Sequence, residues 1–410
     1  MSRLRLIRAN SETAIPFCEE FLTEERVTPY SFIRDMMHIF SAAVENRRRK
    51  TTIVSWRDDD TMVLQQQTIH IHKFRTLLLG QLQLLEKFFH EKLLFGGKTS
   101  EMGITIDFDS LQDSTDITTR GYSPVLGSLN GNSDSEKFMD FLLSKKVLLA
   151  IENSKLVWNI EEAESWTSNI YIATLLLFVL IHVTQGSPAR ITEEIYMQIC
   201  NTLFGRRHLF ALNGYATLAT WSNYWKGAQI SGKFKEILRV MPCRVAKLLL
   251  ILLRIIRPVE VLYLLRHRIP FDESERERVV VAYSSSLWAA LGSPISANVM
   301  YESVSSFFRF PSKEPIFNFP FGVRLYRQFA AAVQKRHLHN ISPKYTKTLA
   351  DAGTQAGDLQ AGHTSQTSNA HYAREEKMVG VDSGFRDHYI TYSLAWHKFW
   401  GLDGNNGLDL

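Results

Sequence analysis

Residues 206–242 contain HLFALNGYATLATWSNYWKGAQISGKFKEILRVMP, which runs from His208 to Pro242. Aromatic and β-branched residues mix there with the turn signals Asn213-Gly214 and Ser231-Gly232, so the stretch predicts a small antiparallel sheet closed by Pro242. On its N-terminal side lies Ile170–Val183, IYIATLLLFVLIHV, an apolar run of about fourteen residues. That is shorter than the roughly 18–20 residues that cross a bilayer as a helix, and it reads as a buried core helix. The run breaks at Gly186-Ser187-Pro188 and the chain resumes at Arg190. On the other side come the leucine-rich CRVAKLLLILLRIIRPVEVLYLL from Cys243, further helix to Leu338, a polar stretch from Ser342 to Asn369, and a final aromatic helix at Asp387–Trp400. One small sheet among long apolar helices makes this a mainly α chain with a small antiparallel β-sheet in its C-terminal domain.

Further toward the N-terminus, residues 11–50 carry helical spacing (Phe17, Phe21, Phe32, Met36, Met37, Phe40) and end in the basic run Arg47, Arg48, Arg49, Lys50. Such a run serves either as a solvated face or as a phosphate contact. Residues 63–95 start as a short alternating patch and pass into a long amphipathic helix ending at Gly96-Gly97. From Gly97 to Glu136, Gly, Ser, Asp, Asn and Thr dominate. The expected division is a helical N-terminal domain at 1–100, a loop-rich linker at 101–136, a main domain at 137–380, and a helix and tail at 381–410. A chain of 410 residues exceeds what one hydrophobic core usually spans, in keeping with that division.

Hydrophobic residues at 45% and charged residues at 22% exclude a disordered or collagen-like class. Lys plus Arg 47 against Asp plus Glu 42 gives +5, which suits a polyanionic partner without requiring one. The three cysteines, Cys18, Cys200 and Cys243, show no C-x-x-C spacing, so no disulfide framework or cysteine zinc site is expected and a reducing compartment fits. The opening MSRLRLIRANSETAIPF has no continuous apolar core of a secretory signal. His70 and His72 form an H-x-H pair without an evident third ligand, and strand alternation accounts for them better than a metal.

The segment Gly362-His363-Thr364-Ser365-Gln366-Thr367-Ser368-Asn369-Ala370-His371-Tyr372-Ala373-Arg374 resembles the closing motif of tyrosine recombinases, with Tyr372 nine positions after His363. The apolar helix running into Gly186-Ser187-Pro188-Ala189-Arg190-Ile191-Thr192-Glu193 looks like the turn bearing that family's first arginine. Gly232-Lys233-Phe234-Lys235 leading to Met241-Pro242 resembles its lysine hairpin, with Lys226 as the rival lysine. Arg324-Leu325-Tyr326-Arg327 is similar to the second-arginine motif, although Arg324 stands where His or Lys is usual. An arginine there donates hydrogen bonds but cannot act as a base. His337-Leu338-His339-Asn340 is a weaker alternative, because Asn340 lacks the charge.

The resemblance covers about residues 137–380 and looks closest to the recombinase-like proteins of fungal mobile elements and subtelomeric helicase-associated genes. It implies a two-domain clamp on double-stranded DNA in the nucleus, a homo-oligomer on that DNA, and no metal, cofactor or membrane. Tyr372 is then the nucleophile, Arg190, Arg327 and His363 bind the scissile phosphate, and Lys233 or Lys226 protonates the leaving oxygen. Arg47, Arg48, Arg49, Lys50 and Arg324 are the expected further DNA contacts. The resemblance also implies that the aromatic C-terminal helix docks on a neighbouring protomer. Two other readings stay open: a catalytically inactive, recombinase-derived DNA-binding protein, and a helical interaction scaffold. Arg190 also reads as a plain helix cap beside Glu193-Glu194.

Overall fold

The computed structural model describes residues 54–108, 119–126, 133–222, 236–268, 272–308, 321–338 and 383–404, except 153, 154, 204 and 213, together with 32, 33, 36, 37, 39, 111 and 113. The chain divides into two compact units, Met1–Val54 and Ser55–Leu410. In the first, Phe32, Ile33, Met36, Met37 and Ile39 are helical, in line with the apolar spacing there. All that follows concerns the second unit.

It opens within β1 (Val54–Trp56), at Ser55, followed by β2 (Thr61–Leu64) and β3 (Gln67–His70), in spatial order β1-β2-β3. β3 runs directly into α1 (Ile71–Phe88), whose Phe74, Leu78, Leu82 and Leu85 form one buried stripe at helical spacing. After α2 (Ser133–Ser144) come the antiparallel pair β4 (Leu148–Glu152) and β5 (Lys155–Trp158), then α3 (Ile160–Thr184) and the short α4 (Ile191–Glu194). β6 (Leu209–Leu212), β7 (Thr217–Ser222) and β8 (Ile237–Val240) form the antiparallel three-stranded sheet expected at 206–242. The rest is α5 (Cys243–Ile251), α6 (Arg257–Tyr263), α7 (Glu273–Ser285), the two-residue strands β9 (Ala289–Ala290) and β10 (Ser293–Pro294), α8 (Ala297–Phe307), α9 (Val323–His337) and α10 (Ser383–Trp400). The described residues are thus mainly helical with small antiparallel sheets.

The apolar helix is longer than its hydrophobic run suggested. α3 has 25 residues because Glu161 and Glu162 in its first turn complement the helix dipole and extend it upstream of Ile170. It is the one described helix long and apolar enough to cross a membrane, yet two-thirds of its apolar window is buried inside the protein. Every residue from Leu177 to Thr184 is buried, and α1, α5 and α8 pack along it. It is the axis of the core.

α10 packs on β8 and α1 of its own chain. Trp396 and Trp400 are fully buried, and the Trp400 ring lies 5.0 Å from that of Phe74. Within the chain, the buried side of this helix is thus filled in cis. Its start at Ser383 and that of α2 at Ser133 each precede the expected residue by four, because polar N-terminal turns carry no apolar signal.

Two histidines make folding pH-sensitive. His397 in α10 is buried, its Nε2 lies 3.0 Å from the Val240 carbonyl oxygen, and burial pulls it down to about 4. His208 at the head of β6 is also pulled down to about 4, by burial and by the charge of Arg206, while its Nδ1 accepts from the Gln198 N–H at 3.0 Å. Both are neutral in the fold, whereas the unfolded chain protonates them near 6.5. Their contribution is complete above about pH 6.5 and is lost as pH falls from there toward 4, by roughly 3 kcal/mol for His397. Urea unfolding between pH 8 and 4 should show this loss, and His397→Gln should make its slope shallower.

Candidate functional site

α3 must stop abruptly for the chain to reach the sheet. Gly186 adopts φ +121°, a left-handed conformation that other residues resist, and Pro188 prevents the helix from resuming. The turn Gln185–Arg190 is buried except at Arg190, so its polar groups need protein partners. They find them on five elements. Gln185 donates Nε2 to Glu194 Oε1 at 2.5 Å and accepts at Oε1 from Thr220 of β7 at 2.9 Å. The Ser187 hydroxyl donates to Gln334 Oε1 of α9 at 3.1 Å and lies 3.2 Å from the Tyr392 hydroxyl of α10. The Ser187 carbonyl accepts from Arg239 Nε of β8 at 2.9 Å. Tyr326 of α9 donates to the Val183 carbonyl at 2.7 Å, and Ser393 of α10 to the Gln185 carbonyl at 3.1 Å.

This buried lattice brings the end of α3 and the start of α9 together. Arg190, Thr192, Tyr301, Arg324, Arg327 and Gln328 line one cleft of about 430 Å³. Tyr326 explains the placement of Arg327. Within α9 the apolar ring of Tyr326 points inward, with Phe329, Ala330 and Val333 buried on the same side, so Arg324 and Arg327, one turn apart, share the other.

Arg190 is one-third exposed and pairs with Glu193 at 3.5 Å, while its N–H donates to Glu193 Oε2 at 3.2 Å. The helix-cap reading of Arg190 therefore holds beside its place in the cleft. Burial and then the positive charge of Arg190 pull the Arg327 guanidinium below its ordinary value; Glu193 opposes this, Arg239 adds to it, and Glu194 opposes it again. Arg239, buried on β8, is itself lowered by desolvation. Arg239 lies behind the cleft, while Arg190, Arg324 and Arg327 on its wall form a surface suited to an anion with several oxygens.

Arg190, Arg324 and Arg327 are thus brought together in one cleft. Lys226, Lys233, His363 and Tyr372 lie outside the described residues, as do Arg47, Arg48, Arg49, Lys50 and the alternative His339-Asn340. Lys226 and Lys233 both fall in the segment that joins β7 to β8. Sequence reading missed Tyr301 of α8 and Gln328 of α9 on the cleft wall, and Arg239 of β8 as a buried support of the arginine turn. Tyr301 carries no signal, being one aromatic in the mixed helix ANVMYESVSSF, and Arg239 sits in an otherwise apolar strand whose charge shows only by contrast.

No protein-family model matches the chain, and no solved structure matches it.

Proposed function

We propose that the cleft between α4 and α9 grips a phosphate of double-stranded DNA, and that the protein cleaves and rejoins a DNA strand through a 3′-phosphotyrosyl link, as tyrosine recombinases do. The observation that carries the reading is the meeting of Arg190 with the pair Arg324 and Arg327, which is remote from it in sequence, in one cleft. Guanidinium groups bind non-bridging oxygens in pairs and offset the charge that builds on a pentavalent phosphorus. The order of elements supports it: an apolar helix, an arginine turn, a three-stranded sheet with three lysines, Lys226, Lys233 and Lys235, in the link between β7 and β8, then a helix opening with arginines.

In this reading Tyr372 attacks the phosphorus, the bond to the 5′ oxygen breaks, and Lys233 or Lys226 supplies the proton to that oxygen. His363 donates to the same phosphate. The link keeps the energy of the phosphodiester, so rejoining needs no nucleotide. The protein acts in the nucleus, as a two-domain clamp and as a homo-oligomer on DNA, in the manner of recombinases of mobile elements. Arg324 favours a second reading: with arginine where the family has histidine or lysine, the cleft binds DNA without cutting it.

The test is incubation of purified protein with nicked suicide DNA substrates from its own genomic flanks. Wild type should accumulate a covalent protein–DNA adduct, and Arg327→Ala and Arg190→Ala should each slow its formation by on the order of 10²–10³-fold. Binding without adduct, with a salt slope that falls by about one on Arg324→Ala, would establish the second reading. Neither adduct nor salt-sensitive binding would leave a helical scaffold.

A further inference from the structure

The junction of β3 with α1 faces the turn that precedes β2. Thr61 pairs with His70 across the hairpin, which brings Asp60 beside the junction. Asp60 is held there by its main chain and by one carboxylate oxygen: its carbonyl accepts from the Ile71 N–H at 2.8 Å, and Oδ1 accepts from the His72 N–H at 2.9 Å. The other oxygen, Oδ2, lies 2.5 Å from His72 Nδ1 and 3.9 Å from His70 Nδ1. A third side chain therefore joins the histidine pair, and ligand atoms of the three residues all fall within 4.8 Å of one another. The sequence did not show it, because Asp60, ten residues before His70, approaches only through the register of the hairpin.

We propose that Asp60, His70 and His72 bind one divalent transition-metal ion of the zinc class, with the remaining coordination positions left to water. Two imidazole nitrogens and one carboxylate oxygen suit a borderline ion. The neighbouring acidic groups do not convert this into a calcium site, since they are engaged elsewhere. Asp58 Oδ1 accepts from the Asp60 and Thr61 N–H groups at 2.8 and 2.6 Å, and Asp59 Oδ1 pairs with Arg336 at 2.8 Å. Calcium would need six or more oxygens.

Bonds of about 2.0–2.2 Å in tetrahedral geometry set neighbouring ligand atoms about 3.4 Å apart. The His72 contact must then open and the His70 contact close, each by less than about 1 Å. Side-chain rotation suffices, because His70, Asp60 and His72 are 38%, 44% and 59% exposed. Metal replaces the proton shared by His72 and Asp60, while the main-chain bonds to Asp60 keep its carboxylate aimed. The ion would act as a clip. It would fasten the β3–α1 junction to the turn whose Asp59 holds Arg336, in the last turn of the helix that carries Arg324 and Arg327.

The experiment uses the full chain, stripped with chelator and titrated with Zn²⁺ by calorimetry and with Co²⁺ by visible absorption, beside Asp60→Asn and His70→Ala/His72→Ala. His72 is well exposed, so the substitutions leave folding intact, which far-ultraviolet circular dichroism verifies. Wild type should bind one equivalent that both variants lose or bind at least tenfold more weakly, with the cobalt d–d bands lost in parallel. Zinc and cobalt titrations of the double variant that match wild type would overturn the proposal, and so would a wild type that binds neither ion.

Discussion

Tyr372→Phe is expected to abolish the covalent protein–DNA adduct while leaving salt-sensitive DNA binding near wild type. The substitution removes one oxygen and nothing else, so no nucleophile remains to take the phosphorus, whereas the guanidinium groups of Arg190, Arg324 and Arg327 still contact phosphate. Arg327→Ala predicts a different pattern: adduct still forms, slowly, because the attacking oxygen is present and only charge stabilisation is lost. Tyr301→Phe is the informative control. Tyr301 lines the same cleft and is a tyrosine beside the arginines. Retention of adduct in Tyr301→Phe and its loss in Tyr372→Phe would establish the nucleophile near His363. The reverse result would move the chemistry to α8 and remove the closing motif from the mechanism.

Glu194→Ala is expected to cost roughly 2–6 kcal/mol of folding stability, by depriving two buried donors of their acceptor. Glu194 is 1% exposed; it accepts from Gln185 Nε2 at 2.5 Å and lies 2.6 Å from His182 Nδ1. His182 is wholly buried, with the rings of Phe178 and Tyr326 5.7–6.2 Å away, so water cannot replace the carboxylate. Gln185 in turn holds Thr220, so the loss reaches the sheet. Urea unfolding should show a lower midpoint at unchanged slope. Glu194→Gln should cost less, since an amide oxygen still accepts, and His182→Ala combined with Glu194→Ala should fall short of the sum of the two single losses. The same variant should weaken phosphate binding in the cleft, because Arg190 opens the helix that Glu194 closes.

What sequence could and could not show follows from the range of each signal. The sheet at 206–242 was legible because turn residues and β-branched residues are local, and β6, β7 and β8 fall within it. Arg190 and Arg327 were legible only through motif resemblance; nothing local says that they meet, and their meeting depends on Tyr326 and Ser187 binding across elements. The β4–β5 pair was missed because its strands, LLAIE and KLVW, are short and apolar enough to read as helix. Asp60 was missed for a similar reason, since its partnership with His70 and His72 is created by a hairpin register.

The packing of α10 has a consequence for how the chain matures. Ser393 and Tyr392 reach the turn that presents Arg190, and Trp400 closes over Phe74, a residue made more than three hundred positions earlier. A ribosome that has delivered α1, α3, the sheet and α9 has therefore delivered a core with an open seam and an unsupported arginine turn. Contacts of such sequence separation form late and slowly, and the apolar flank that awaits α10 is the surface most exposed to misassociation in the interval. Competence to bind should consequently appear in one step, after residue 400 has cleared the exit tunnel, and chains stopped before α10 should be captured by chaperones and should not retain partial binding.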